Sequence, residues 1–439
     1  YGTRLLNLKS QSFLLLFFYH FFIRLYAFGM WAAAFVHPKA ALWWEGRARL
    51  RQRYREKLPR KHKKRLWIHA ASLGEFEQGR AVIEDFRRTF PDAEVILSFF
   101  SPSGYELRKH YDHAHAVFYL PLDTPANARD FIEIVQPDLT IFIKYEFWYC
   151  YLRELKRRRL PVLLISAAFR PEQPFFRPWG GLWRDMLSAF THFFVQDETS
   201  RALLQQIGYA GITVAGDTRI DRVLRLAAAA PANDIAAAFA VEADVLVAGS
   251  TWPADEVILL PAFQRLWQQA TAPDTPFKRR IKILIAPHEP APAYVERLLR
   301  TPALRSLRYS AATPATAAAA DLLVIDNIGM LNTLYRYGHI AYIGGGFGKG
   351  IHNTLEPAAY GVPVLFGPRY QKFGEARAFV ACGAAFSVER EDDLLHTLER
   401  LWPPVAHRKA SEAILNYLHT GQGATQSILA YIARNNLFP

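Results

Sequence analysis

Two tandem α/β domains, each built on a doubly wound parallel sheet, are expected from three features of the sequence. Short β-rich runs alternate with stretches whose apolar residues recur at helical spacing. The alternation occurs twice, with an alanine-rich stretch at residues 226–240 between the two series. The 439 residues suit roughly two to four domains of ~100–200 residues each. A content of 51% hydrophobic and 21% charged residues supports a packed core and excludes wholesale disorder.

In the first series, strands are expected at 66–70, 95–100, 117–120, 139–145, 162–167, 193–196 and 212–215, with helical spacing at 79–90 and 124–135 between them. In the second, strands are expected at 245–248, 281–286, 322–325, 340–343, 362–366 and 385–388, before a closing helical stretch at 410–434. The expected division is a membrane-anchor segment over 1–38, a first Rossmann-like domain over 39–226, a second over 227–409 and a helical tail over 410–439. Ligands of such sheets bind outside the carboxyl ends of the strands, so the expected site is a cleft faced by both domains. Two cysteines, Cys150 and Cys382, with no CxxC motif, exclude a disulfide framework and a structural zinc cluster.

Residues 13–36 carry one full charge, Arg24. As a helix they would run ~36 Å, enough to cross a hydrocarbon core. Their aromatic content suits a membrane interface. Two placements fit: a spanning anchor, or a helix lying in one leaflet with Arg24 reaching the headgroups. Residues 47–65 then hold eleven Lys or Arg and one acid, Glu56, within a chain of net charge +13. Basic residues there place that side in the cytoplasm, and the run faces anionic lipid, an anionic substrate or simply water. Nucleic acid is not an expected partner, because a binder would interleave stacking aromatics with the basic run, Tyr54 is the one Phe, Tyr or Trp within it, and no nucleic-acid-binding motif is present.

The stretch His69-Ala70-Ala71-Ser72-Leu73-Gly74-Glu75 runs from an apolar strand through a small-residue turn into a helix start. A carboxylate there can take a proton from an attacking hydroxyl, or can simply favour the helix N-terminus. Gly344, Gly345, Gly346, Gly348 and Gly350 follow a strand and form a loop whose backbone can approach a phosphate, ahead of a further helix N-terminus. Their spacing is neither a P-loop nor a dinucleotide fingerprint. Glu356 beyond them can bind a ribose hydroxyl. Gly249-Ser250-Thr251 and Ala286-Pro287-His288-Glu289 close two second-series strands with hydroxyls, backbone N–H groups and an imidazole. Lys144-Tyr145-Glu146-Phe147-Trp148 and Gly216-Asp217-Thr218-Arg219-Ile220-Asp221 close two first-series strands with charges. Singly, each is also ordinary turn chemistry.

Taken in order, these stretches with Asp326-Asn327-Ile328-Gly329 and Asn353-Thr354-Leu355-Glu356-Pro357 resemble the 3-deoxy-D-manno-octulosonic acid (Kdo) transferases, membrane-associated glycosyltransferases of lipopolysaccharide assembly. The resemblance runs from the N-terminal apolar segment to about Ala376. It implies a GT-B fold, CMP-Kdo as donor substrate with no other cofactor, a lipid A precursor as acceptor, and a place on the cytoplasmic side of the inner membrane. Glu75 then matches the catalytic base. Glu146 and Arg219 match positions that stabilise the transition state. Pro287 with His288, Ile328 with Gly329 and Met330, and Asn353 through Glu356 match the stretches that hold CMP. Ser250, Thr251, Gly345 and Gly346 join that binding set by their own chemistry.

The chain departs from the family pattern in places. The family commonly has Glu-Thr-Glu-Leu-Trp-Pro at Lys144 to Tyr149, Asn-Leu-Lys at Asp217 to Arg219, Pro-Arg-His at Pro287-His288 and Met-Gly-Glu at Ile328 to Met330. No Asp-x-Asp pair is present, and no metal requirement is expected. Other readings of the same residues are a lipid A disaccharide synthase, a UDP-sugar epimerase, or a non-catalytic membrane-bound binder.

Overall fold

The computed structural model describes residues 2–58, 60–275 and 277–438, with side chains from residue 15 onward. Tyr1 and Pro439, which open the expected anchor segment and close the expected tail, lie outside the described residues, as does the side chain of Phe13. The chain divides into two compact units, Tyr1–Asp221 with Gly421–Pro439, and Arg222–Thr420.

The first unit holds seven parallel strands, β1 Arg65–Ala70, β2 Glu94–Phe99, β3 Ala116–Tyr119, β4 Leu139–Ile143, β5 Val162–Ala167, β6 His192–Val195 and β7 Ile212–Val214. Their order is β3-β2-β1-β4-β5-β6-β7. The second unit holds β8 Ala243–Thr251, β9 Arg280–Pro287, β10 Ser306–Arg308, β11 Leu322–Val324, β12 Ile340–Ile343, β13 Val364–Phe366 and β14 Ala385–Ser387, in the order β10-β11-β9-β8-β12-β13-β14, again all parallel. β1, β4 and β5 are buried along their whole length. Helices cover both faces of such sheets, which is why these strands read as unbroken apolar runs. Trp67, Phe76, Phe86, Phe131 and Phe142 fill the first core. Phe263, Leu266, Ile283 and Tyr342 belong to a core cluster of the second.

Each sheet reverses its winding at one place. In the first unit β1 connects onward to β2 on one side and pairs with β4 on the other; in the second, β8 stands between β9 and β12. Loops leaving the two strands of such a switch point diverge and open a crevice at their carboxyl ends.

Several expected boundaries move. The strand expected over 139–145 stops at Ile143, because Lys144 takes a left-handed conformation (φ 66°). The alanine-rich stretch is not an open linker. It contains the end of helix Thr218–Ala228 and all of helix Asp234–Ala240, capped by the Asn233 side chain. Residues 226 and 227, on either side of the expected domain boundary, lie within the first of these helices. β10 is an additional strand. The single closing helix expected over 410–434 is two, Pro404–Gly421 and Ala424–Arg434, broken at Gly423 (φ 96°).

The second of these helices belongs to the first unit. Asp221 accepts hydrogen bonds from the Gly423 and Thr425 N–H groups at 2.6 and 2.7 Å and so caps it.

The basic run is also less free than its composition implies. Arg47 donates to the carbonyls of Trp43, Phe100 and Leu120, and Arg65 is buried against Glu94. Arg49, Arg51, Arg55, Lys57, Arg60 and Lys63 remain exposed.

Candidate active site

At the switch point of the first sheet, β1 ends at Ala70 and the chain turns through Ala71 and Ser72 into helix Leu73–Thr89. Ser72 is the extended residue ahead of the helix, and Glu75 lies in its first turn. The helix sits close to the sheet because Gly79 faces β4: a Cβ there would come within 2.2 Å of Ile143. Glu75 is half-buried, and the Ser72 hydroxyl donates to its Oε2. Among the described residues Oε1 has no hydrogen-bond partner, so one carboxylate oxygen is open to an incoming donor. Burial pushes the nearby Tyr145 hydroxyl up in pKa, with Asp197 and Glu75 adding in the same direction against Arg170.

Glu146 follows β4, the strand paired with β1. It is buried, and its Oε2 accepts the Trp148 indole N–H at 2.6 Å and lies 3.2 Å from His69 Nε2. His69 is fully buried, with Nδ1 at 2.9 Å from Ser98 Oγ and 3.1 Å from the Ser98 carbonyl on β2. A carboxylate held by an indole, an imidazole and the surrounding core is a fixed negative charge, the arrangement that stabilises positive charge developing nearby.

Arg219 opens helix Thr218–Ala228 and folds back on Asp217, with Nε and Nη2 both within 3.0 Å of Asp217 Oδ2. Thr218 ties this helix start to the Glu75 helix through the Gln78 carbonyl and to β5 through Ser166 Oγ at 2.9 Å. Arg219 is therefore positioned by two anchors, Thr218 below it and Asp217 beside it.

In the second unit, Gly249, Ser250 and Thr251 are the last residues of β8 itself, not a turn after it, and the register with β9 shifts between Gly249 and Thr251. Gly344, directly after β12, crosses this strand end so closely that a Cβ would lie 2.1 Å from the Ser250 carbonyl oxygen. Gly345 takes φ 92° and donates its N–H to Asp255 at 2.9 Å. Asp255 also accepts from the Tyr342 hydroxyl and the Trp252 N–H, and burial raises its pKa. Thr251 donates to the buried Glu256 at 2.8 Å. A Cβ on Gly346 would meet the backbone of Gly367 at 2.6 Å. The glycine loop is thus held open and rigid by backbone packing and one buried carboxylate.

His288, exposed after β9, stacks on Trp252 (ring centroids 4.7 Å) and on His352 (4.3 Å). Trp252 donates its indole N–H to His352 Nε2 at 3.1 Å. Thr354 Oγ1 is buried with no hydrogen-bond partner among the described residues, an orphan of the kind a bound ligand satisfies. Asn353 donates to Glu356 at 2.9 Å. The helix expected after the glycine loop is only Leu355–Ala358, so Glu356 lies in its first turn, and so short an element contributes little dipole. Ile328 is exposed, Gly329 takes φ 103°, and Met330 precedes helix Leu331–Leu334, whose Leu331 faces Gly249.

Burial and the neighbouring His288 pull His352 down to about pKa 4. A histidine whose folded pKa lies below its unfolded value of about 6.5 binds fewer protons folded than unfolded in the window between. Stability is therefore expected to fall as pH drops from 6.5 towards 4. Thermal melts of the wild type should show this slope, and His352→Phe, which keeps a ring for the stack, should flatten it.

Residues 48–222 match the family model for 3-deoxy-D-manno-octulosonic-acid transferase (kdotransferase). The 3-deoxy-D-manno-octulosonic acid transferase of Rickettsia felis is 26% identical over 346 residues, 77% of this chain and 72% of that protein. The Aquifex aeolicus transferase of the same name is 25% identical over 341 residues, 76% of this chain and 85% of that protein. The chain is thus similar to the Kdo transferases over about three-quarters of its length, with the family model covering its first unit from residue 48. Its fold is that of GT-B glycosyltransferases. A UDP-GlcNAc 2-epimerase from Neisseria meningitidis superposes with TM-score 0.55 at 16% identity, over 84% of this chain and all of that one. MurG from Acinetobacter baumannii superposes with TM-score 0.52 at 14% identity, over 84% of this chain and 99% of that one.

The segment matched by the family model holds Glu75, Glu146 and Arg219. The structure brings Glu75 and Glu146 to the ends of paired strands, and it brings Ser250, Thr251, Gly345 and Gly346 to one strand crossing. Sequence reasoning did not single out His69, Ser98, Trp148, Trp252, Asp255, Glu256 or His352. His69, Trp148 and His352 stand inside stretches already notable, so an unused imidazole or indole within a motif was the available signal.

Proposed function

We propose that the protein transfers Kdo from CMP-Kdo to a hydroxyl of an acylated lipid A precursor at the cytoplasmic face of the inner membrane, inverting the anomeric centre. Glu75 takes the proton of the attacking hydroxyl on its open oxygen. The hydroxyl oxygen bonds to the anomeric carbon as the bond to the CMP oxygen breaks. Glu146 stabilises the oxocarbenium character that develops, and Arg219 supplies positive charge for the departing phosphate. In the second unit the Ser250-Thr251 strand end, the glycine loop, Pro287, His288 and Asn353 through Glu356 hold the cytidylate, with Ile328, Gly329 and Met330 beside them.

The observation that carries this reading is Glu75, a half-buried carboxylate with one open oxygen at the end of β1, beside the fixed charge of Glu146 on the paired strand. The orphaned Thr354 hydroxyl supports a ligand in the second unit. The apolar N-terminal helix and the exposed basic residues after it support an acceptor held in an anionic bilayer.

The test is acceptor-dependent release of CMP from CMP-Kdo by the purified full chain. CMP should inhibit and UDP should not, which separates this reading from UDP-sugar chemistry. The monophosphate leaving group makes EDTA without effect the expected result; abolition by EDTA and rescue by Mg²⁺ would contradict it.

A further inference from the structure

Leu15–Ala34 is long and apolar enough to cross a membrane by length and composition. Its surroundings decide otherwise. Leu15, Leu16, Tyr19, His20, Ile23, Ala27, Met30, Ala33 and Ala34 are all half-buried, and they recur every third or fourth residue. That spacing puts them on one stripe of the helix. The stripe runs the full ~30 Å of the segment. A helix flanked by protein along one side for that length is poorly placed to stand upright with lipid all round it.

The cover is the body of the first unit. Leu15, Leu16 and Tyr19 pack on its hydrophobic core. The Tyr19 hydroxyl donates at 2.5 Å to Asp123, which is fully buried and also accepts the Cys150 and Tyr151 N–H groups. Tyr19 also meets the Tyr149 ring at 5.9 Å. Two turns further on, Tyr26 lies against Trp43 at 5.5 Å and Phe100 at 6.0 Å. Phe100, Asp123 and Tyr149 follow β2, β3 and β4, so the helix runs along the carboxyl edge of the sheet, the same edge that carries Glu75 and Glu146.

The opposite face is bare. Phe17, Phe21, Phe28, Trp31 and Phe35 are 41–74% exposed and share that face by helical spacing. Arg24 is exposed on the same face, between Phe21 and Phe28, and close enough to His20 for both Arg24 and Arg153 to act on that ring. A lone guanidinium in the middle of an aromatic face would sit near the bilayer centre in a spanning helix, but reaches anionic headgroups readily from a helix lying in the interface.

We propose that this helix does not span the membrane but lies in the plane of one leaflet, clamped by Tyr19 and Asp123, with its aromatic face at the headgroup–acyl boundary and Arg24, on that face, bending up to the headgroups. An acceptor held in that leaflet then meets the catalytic edge without leaving it. The inference stands on geometry independent of the donor, so its failure would leave the transferase reading intact.

The test uses the full chain carrying Cys382→Ser, with nitroxide labels at Phe17→Cys, Phe21→Cys, Phe28→Cys and Phe35→Cys in turn. The samples are vesicles of phosphatidylethanolamine and phosphatidylglycerol, and depth is read from the ratio of oxygen to nickel-chelate relaxation. All four labels are expected at one shallow depth, about 5–10 Å below the headgroup boundary. Tyr19→Phe should shift the labels at 17 and 21 while those at 28 and 35, held near Tyr26 and Trp43, stay. Depths that pass through the bilayer centre, with 17 and 35 separated by about 27 Å along the normal, would overturn the proposal. So would labels shielded from both relaxants and coupled to one another, which would mean that a second copy covers the face.

Discussion

Glu75→Ala is expected to reduce Kdo transfer by about 10²–10⁴-fold, the range that a positioned general base contributes. The loss should fall on turnover and leave CMP binding unchanged, because in the proposed reaction the residue meets the acceptor hydroxyl, and it belongs to a different unit from the proposed nucleotide residues. Folding should survive: the side chain is half-buried and its one described hydrogen bond comes from Ser72, a residue of its own helix start. Glu75→Gln sharpens the test, since it keeps size and hydrogen bonding and removes only the basicity. Equal turnover by Glu75→Gln and wild type, each shown folded by circular dichroism, would rule out the base.

The second large effect is expected at Gly344. An added methyl would lie 2.1 Å from the Ser250 carbonyl oxygen and 2.6 Å from Thr251 Cα. Both are backbone atoms of β8 and cannot swing aside as a side-chain tip would. Relief requires β8 and β12 to separate, which disturbs the Gly344 N–H to Gly249 bond and the Gly345 N–H to Asp255 bond. Overpacking of this kind costs about 3 kcal/mol or more. Gly344→Ala should therefore lower the thermal midpoint by roughly 6–12 °C, with CMP affinity at least about tenfold weaker. Gly348→Ala is the control. Its nearest neighbour would be the Gly345 carbonyl at 3.5 Å, an ordinary contact, and its expected cost is under about 0.5 kcal/mol. Equal melting of the two variants would mean that the strand crossing is looser than described.

Much of the fold was legible because buried parallel strands are unbroken apolar runs, and thirteen such runs stand out. β10 was not, since Ser306-Leu307-Arg308 has one apolar residue and becomes a strand only by pairing with β11. The break at Gly423 was hidden because the residues on both sides keep helical spacing. What stops the helix is a left-handed glycine and a cap from Asp221, 202 residues away. The basic run misled in the same way: composition cannot show that Arg47 spends itself on three carbonyls or that Arg65 is buried.

In the candidate site, local signals carried and distant ones did not. Glu75 was legible from a small-residue turn after a strand. The partners of His69 were not, because Ser98 and Glu146 lie 29 and 77 residues away and meet it only through the pairing of β1 with β2 and β4. Asp255 escaped notice because a carboxylate after a strand reads as a helix start. Its contact with Gly345 is what ties the glycine loop to β8.

The central claim is that this carboxylate edge moves Kdo onto a lipid-borne hydroxyl. Mass spectrometry of the product from purified full-length protein, CMP-Kdo and an acylated lipid A precursor tests it most directly. The expected result is an acceptor heavier by whole Kdo residues, absent with Glu75→Gln and absent when UDP-GlcNAc replaces the donor. An acceptor of unchanged mass from folded wild-type protein, or the same product from Glu75→Gln, would contradict the account.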